Sequence, residues 1–377
     1  MANAKAFTVC HVVGGLTDHG GTWNFVCAMA TTGANEGVSH VVWMHQDYQP
    51  KDAGLKCVCA GSLRRVNLNL RDDFLGAVRE ARALARWLRS RPGVLLHAHT
   101  RPGILAASWA CRLSRRPLLI HIHALHRRQW FYKLLRRISG AVFVFNSPNT
   151  CAHFGHDPRT SRVVTPPVRW PTDCPEVGGG GPHFVAASAF YRSKNLHLVL
   201  AAFNHLKARH PAATLDIYGM TSGEAERPYV EFMKQQAGRS PGVRLMAYDR
   251  RWYDHLRQSD IFVHVAEVES FGIVVLEALA RGCRLVLTPG TVVDDLPEPQ
   301  RGEGVFRVDA VDAEGVAAAM ERAVAYDCQP GSLWHSRMKL RESFSVEETR
   351  AKLDQIYRDV WNLRRALGVT RERNEIH

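Results

Sequence analysis

The stretch 260–282, DIFVHVAEVESFGIVVLEALARG, constrains the fold more than any other part of the chain. Ile261, Val263 and Val265 alternate with Phe262 and His264 in an apolar, β-branched run, the pattern of a short buried strand. Residues 267–271 form a polar break, in which Ser270 is placed as a helix N-cap. Ile273, Val274, Leu276, Ala278, Leu279 and Ala280 then make a mostly apolar helix that Gly282 ends. Strand, loop and helix N-terminus together leave backbone N–H groups facing an anion. Two carboxylates flank that point, Glu269 in the loop and Glu277 two helical turns on. At about 100° per residue they stand roughly 80° apart around the helix, so both address a ligand lying across its tip. The N–H groups suit an anion and the carboxylates suit neutral hydroxyls.

A chain of 377 residues is too long for one ordinary core, and two domains are expected. There is no 18-residue apolar run and no charged-then-apolar leader, so neither a membrane span nor a signal peptide is expected. The nine cysteines are scattered, and the one close pair, Cys57-x-Cys59, lacks zinc spacing, which suits reduced thiols in the cytoplasm. The net charge of +13 is uneven: residues 1–165 hold 22 basic and 8 acidic residues, and the remainder 27 and 28. The whole excess sits in the first half and points to an anionic partner, whether nucleic acid, a phospholipid surface or a phosphorylated substrate. Nucleic acid is disfavoured, because aromatic residues interleave with the basic ones only at 127–139 and no helix-turn-helix or zinc finger appears.

Along the chain, strands at 7–13, 38–44, 94–99, 118–123 and 141–145 alternate with helices near 23–31, 73–89 and 104–113, the rhythm of a parallel sheet with covered faces. Between positions 166 and 182 lie five prolines and the run of glycines 178–181, a linker composition. A second alternation starts at 184: helices at 196–208 and 229–237, strands at 214–218, 243–247 and 285–287, and a long last helix at 345–367. The first strand runs into a loop with Gly14, Gly15, Gly20 and Gly21, where an open α/β sheet receives a phosphate; the G-x-G-x-x-G spacing of a dinucleotide site is absent.

Glu269, seven residues and Glu277, with ESFG at 269–272 and EALARG at 277–282, resemble the E-x7-E signature of retaining GT-B glycosyltransferases of family 4. The resemblance implies an α/β fold of two Rossmann-like doubly wound domains facing a cleft, with a C-terminal helix crossing back to the N-terminal domain. It implies an acceptor-binding domain at 1–165, a Pro/Gly linker at 166–182, a nucleotide-sugar domain at 183–344 and the returning helix at 345–377. By the same resemblance Glu269 contacts hydroxyls of the donor sugar and Glu277 holds the ribose, with Ser270, Phe271 and Gly272 around the donor. The pair Gly20-Gly21 resembles the loop that approaches the donor diphosphate; a plain turn needing positive φ fits it equally. The fragments LLHAHTRPG (95–103) and LLIHIHAL (118–125) resemble N-terminal family segments, and His123 matches the histidine that reaches the donor sugar. ASAFYRSKN (187–195) resembles the segment in which an Arg and, five residues later, a Lys grip the diphosphate. Lys194 takes the Lys position, Ala189 stands where the family has Arg, and Arg192 is placed to supply the missing charge. Pro289-Gly290-Thr291 stands where the family commonly has a Gly-Gly loop, and Tyr248 either borders the base pocket or belongs to the core.

The expected activity is transfer of a sugar from a nucleotide-sugar donor to a glycan, lipid-linked or other envelope acceptor, as in bacterial polysaccharide or lipopolysaccharide synthesis. The alternatives are a GT-B nucleotide-sugar epimerase or soluble synthase, and a catalytically degenerate basic binding protein. No cofactor is expected: there is no D-x-D, and Asp72-Asp73 and Asp294-Asp295 are simple pairs. No metal is expected at His97, His99, His121 and His123 either, which read as histidines of a sheet face with no Cys or carboxylate among them. In 127–139, RRQWFYKLLRRIS, the residues Trp130, Phe131, Leu134, Leu135 and Ile138 line one helix face, flanked by Arg127, Arg128, Lys133, Arg136 and Arg137. Such a helix suits an anionic membrane interface, which would make the protein peripheral on the inner face of the cytoplasmic membrane; packing of the stripe on the core is the other reading.

Overall fold

The computed structural model of the chain describes residues 7–15, 20–31, 37–51, 54–63, 71–220, 226–247 and 249–374. Its strands are β1 (Phe7–Val12), β2 (Val38–His45), β3 (Cys57–Gly61), β4 (Val94–Ala98), β5 (Leu118–Ile122), β6 (Val142–Phe145), β7 (His183–Ala189), β8 (Thr214–Met220), β9 (Val243–Met246), β10 (Ile261–His264), β11 (Arg284–Leu287) and β12 (Val305–Arg307). The helices are α1 (Gly21–Thr31), α2 (Arg71–Arg89), α3 (Arg101–Ser114), α4 (Gln129–Ser139), α5 (Pro148–His153), α6 (Leu196–Lys207), α7 (Arg227–Gly238), α8 (Ile273–Ala280), α9 (Ala313–Ala325), α10 (Ser332–Arg337) and α11 (Val346–Asn374). The chain divides into two units, one made of Met1–Pro167 with Val346–His377 and the other of Val168–Ser345. Each carries a parallel six-stranded sheet, ordered β3-β2-β1-β4-β5-β6 in the first and β12-β11-β10-β7-β8-β9 in the second. Both orders are doubly wound, so the direction of winding reverses between β1 and β4 in one unit and between β7 and β10 in the other. β5 and β10 are buried at every position, which is why they read as short continuous apolar runs.

In the first unit, α2, α3 and α4 cover one face of the sheet, with Leu84, Ile104 and Phe131 packed over Leu96 and Ile120. The other face is covered by α1 and by α11: Phe25 and Val26 meet Leu353, Tyr357 and Val360 over Val9 and Leu95. The last helix is thus a core element of the first unit, and burying each such side chain contributes about 1.5–3 kcal/mol. Arg350 Nη2 fastens it further by donating to the carbonyls of Ala28 and Met29 at 3.3 and 2.8 Å. At the switch between β1 and β4, the Thr100 hydroxyl caps α3 by accepting the Gly103 N–H at 3.3 Å. Gly103 allows the approach, because a Cβ there would collide with the Val12 carbonyl oxygen.

In the second unit, α6, α7 and α9 cover one face and α8 the other. The segment whose composition reads as a linker is, over 168–178, laid on this unit. Val168 and Trp170 enter its core, and the Val168 N–H donates to Phe344 O at 3.0 Å. The Gln258 side chain donates to Pro175 O and the Gly178 N–H to Ser259 Oγ, both at 2.8 Å. Prolines hold this backbone extended, and the apolar residues between them have a core to enter. No helix among the described residues is long and apolar enough to cross a membrane.

Candidate active site

In the second unit the C-terminal ends of the neighbouring strands β7 and β10 form the switch point, the place where open α/β sheets receive ligands. The loops leaving them are tied together: Asn195 Nδ2 donates to Val265 O at 3.1 Å and the Glu267 N–H to Ser193 O at 2.8 Å. This brings Lys194 to Glu269, with Nζ 2.9 Å from Oε2. The same oxygen lies 3.1 Å from His264 Nε2, and Oε1 accepts the Ser270 N–H at 2.9 Å. A carboxylate only accepts, so His264 carries its proton on Nε2. Burial alone would raise the Glu269 carboxyl; the His264 hydrogen bond and charge and the Lys194 ammonium outweigh it and hold the group far below the usual carboxylate range. Glu269 is therefore a fixed anion at any working pH.

α8 starts just beyond. Its N-cap is Gly272 at φ +81°, so Ser270 is not the capping residue, and its N–H is turned onto the Glu269 carboxylate instead. A left-handed entrance to the helix suits glycine and costs other residues about 1–2 kcal/mol. The first N–H groups of α8 have no acceptor within the helix and open beside Glu269. Glu277 follows in the second turn, 7% exposed, with Oε2 accepting the Trp252 indole N–H at 3.0 Å. Burial pushes its carboxyl up to about 8, against the opposing pull of the Trp252 hydrogen bond and the Arg281 charge. The two glutamates of the pattern thus hold opposite protonation states: one is a pinned anion, the other a buried acid.

The remaining expected residues are placed less uniformly. Arg192 is exposed, with its guanidinium 5.7 Å over the Tyr229 ring of α7. The Phe271 side chain enters the core against Phe344, which leaves its backbone to meet a ligand. Gly290 is at φ +94°, and its N–H and that of Thr291 are taken by the Asp294 carboxylate at 2.6 and 3.0 Å, so that acid shapes a turn. Tyr248 and the loop 16–19 lie outside the described residues. In the first unit, Gly20 is at φ +84° and Gly21 opens α1. His123 follows β5, with its carbonyl accepting from Asn146 Nδ2 at 3.1 Å and its Nε2 3.1 Å from His99 Nδ1. The apolar stripe of α4 splits: Phe131 and Leu135 are in the core, while Trp130 and Leu134 are 60% and 47% exposed beside the exposed Arg127, Arg128, Arg136 and Arg137. Two residues of the site belong to no motif of the sequence, His264 and Trp252. His264 has a signal, as the one polar residue of β10, whereas Trp252 reaches Glu277 from 25 positions away and has none.

Residues 19–169 match the family model described as Glycosyltransferase Family 4, and residues 177–331 the model described as Glycosyl transferases group 1. No curated protein matches the sequence. Among solved structures, HepE of Anabaena in complex with UDP and glucose is 13% identical with a TM-score of 0.72, over 93% of this chain and 99% of that one. A sucrose-phosphate synthase from Thermosynechococcus elongatus is 16% identical with a TM-score of 0.75, over 95% and 100%. The lipopolysaccharide outer core galactosyltransferase WaaB in its apo form is 14% identical with a TM-score of 0.64, over 92% and 98%. At these identities the likeness concerns the fold. With one glycosyltransferase model on each sheet-bearing unit and an architecture shared with solved enzymes of this kind, the chain is built as a glycosyltransferase of the GT-B type.

Proposed function

We propose that the protein is a retaining glycosyltransferase that moves a sugar from a nucleotide-sugar donor to a glycan or lipid-linked envelope acceptor. The observation that carries the reading is the Lys194–Glu269 pair at the β7/β10 switch point, directly before the N-terminus of α8. A leaving nucleoside diphosphate develops negative charge, and preplaced cations and N–H groups stabilise it most where water is excluded. Lys194 and the N–H groups from Gly272 onward supply them, so no metal is required at the diphosphate. Glu269, kept anionic, accepts from the sugar hydroxyls next to the bond that breaks. Glu277 accepts from the ribose hydroxyls. HepE, described with UDP and glucose, supports a donor of this class. The first unit takes the acceptor, while Gly20, Gly21 and His123, at the C-terminal ends of its strands, serve the donor diphosphate and sugar. The exposed Trp130 and Leu134 among arginines favour an acceptor held at an anionic membrane.

Thermal-shift screening against UDP-, GDP-, ADP- and TDP-sugars identifies the donor, because a ligand of the folded state stabilises it by mass action. The two glutamates then fail differently. Glu277→Ala weakens free nucleotide and raises KM, since its contact is shared by ground and transition states. Glu269→Ala spares free-nucleotide affinity and lowers kcat by about 10²–10³. Equal loss of nucleotide binding in both, with kcat intact, would show the division of roles to be wrong. Donor binding without transfer or hydrolysis would identify a degenerate binding protein instead.

A further inference from the structure

One face of the first unit's sheet carries a run of imidazoles. His11 lies on β1 directly across from His97 on β4, His40 lies on β2, and His121 lies on β5. His99 and His123 follow the ends of β4 and β5. They are joined nitrogen to nitrogen: His40 Nδ1 to His11 Nε2 at 3.0 Å, His11 Nδ1 to His99 Nε2 at 3.0 Å, and His99 Nδ1 to His123 Nε2 at 3.1 Å. A second pair, His97 Nε2 and His121 Nδ1, stands at 3.2 Å, with His97 Nδ1 held by Tyr357 Oη at 2.7 Å. The other nitrogen of His121, Nε2, is buried without a hydrogen-bond partner among the described residues. Burial, and for most of them the neighbouring rings, push His97, His99, His121 and His123 well below the usual histidine range. The rings are therefore neutral, and each keeps one lone pair.

Two trios bring one ring nitrogen each to within 4.8 Å of one another: His11, His97 and His99, and His99, His121 and His123. Arg350 stands close enough to His11, in the first trio, to oppose positive charge there, whereas the second trio holds the buried His121 Nε2 that has no hydrogen-bond partner among the described residues. We propose that His99, His121 and His123 form a three-imidazole site for a borderline divalent transition-metal ion of the zinc class. Bonds of about 2.0–2.1 Å in tetrahedral array hold ligand nitrogens about 3.3 Å apart. His99 Nδ1 and His123 Nε2, at 3.1 Å, reach that spacing with a movement of a few tenths of an ångström. The proton between them moves to the other nitrogen of the same ring, and the ion takes its place. The all-nitrogen set, with no carboxylate, is wrong for magnesium or calcium and right for zinc, cobalt or nickel. His97 on His121 and His11 on His99 orient the ligand rings from behind, as second-layer partners of metal-bound histidines do. His123 is partly exposed, which leaves the ion a path inward and a fourth position for water. A bound ion joins the C-terminal ends of β4 and β5.

The test uses the untagged full chain, stripped with chelator and titrated with Zn²⁺, and with Co²⁺ for its tetrahedral visible spectrum. One tight site per chain is expected, weakened by at least about 100-fold in His121→Gln and in His123→Gln. No stoichiometric binding by the parent overturns the proposal, as does binding that both variants retain, which would place the ion on surface histidines. Should His121→Gln fail to fold, His123→Gln, at the partly exposed edge, decides alone.

Discussion

Replacing Glu277 by Gln keeps the shape of the side chain and an oxygen for the Trp252 N–H, and removes the proton that the buried carboxyl gains and loses. Folding takes this group from 4.5 to about 8, chiefly by burial. An acid whose pKa rises on folding favours the folded state in full only below its unfolded value, near 4.5, and that contribution is lost as the pH climbs through about 8. At ~1.36 kcal/mol per pH unit the rise is worth on the order of 5 kcal/mol over the whole range. Between pH 5.5 and 8 the parent should lose about 3 kcal/mol relative to Glu277→Gln. Denaturant unfolding of both proteins across that range measures it, because subtracting one stability curve from the other cancels every group they share. The variant should be the more stable protein at pH 8. Curves that run parallel from pH 5.5 to 8 would refute the buried-acid assignment, and with it the neutral state of Glu277 before any ligand arrives.

If ribose hydroxyls bind the ionised carboxylate, nucleotide affinity should rise with pH up to about 8 and binding should release a proton, seen by calorimetry in buffers of different ionisation enthalpy; Glu277→Gln should show neither. Changing Arg127, Arg128, Arg136 and Arg137 to Gln should weaken binding to anionic liposomes by about 1 kcal/mol per charge, and equal flotation of variant and parent would reduce α4 to a packed helix with two exposed apolar residues. Gly103→Ala should destabilise the first unit by more than about 2 kcal/mol, since its Cβ meets backbone rather than a flexible side chain, and an unshifted unfolding midpoint would contradict the close seating of α3 on β1.

The strands and helices of both sheets were largely legible, because most strands are short apolar runs and several crossover helices, such as α2 and α4, are longer amphipathic ones. The strands β3 and β12 escaped: both lie at sheet edges, are short, and are only partly buried, so their pattern is weak. Glu269 and Glu277 stood out by spacing, but spacing is silent on protonation. That depends on the burial of Glu277 and, at Glu269, on His264 and Lys194, one read as strand filler and the other carried on a loop 75 positions away. Ser270 read as a cap on residue preference, and the left-handed Gly272 took the position instead. The histidines show the same limit. Alternation along β4 and β5 pairs His97 with His99 and His121 with His123, and only the parallel register across strands adds His11 and His40 to them.

α11 contributes Leu353, Tyr357 and Val360 to the core of the first unit, while the ends of the second unit meet at the Val168–Phe344 hydrogen bond. In order of synthesis, the first unit is begun, set aside while 168–345 is made, and finished only with the last helix. The second unit has all its parts once residue 345 has left the ribosome; the first does not, although its sheet was made earlier. Until α11 arrives, Val9 and Leu95 lack part of the cover on their face of the sheet, and His97 lacks the Tyr357 hydroxyl. Until α11 is made, the nascent chain exposes apolar surface on a sheet translated before the second unit, and a chain halted before 346–374 carries a finished second unit joined to an unfinished first.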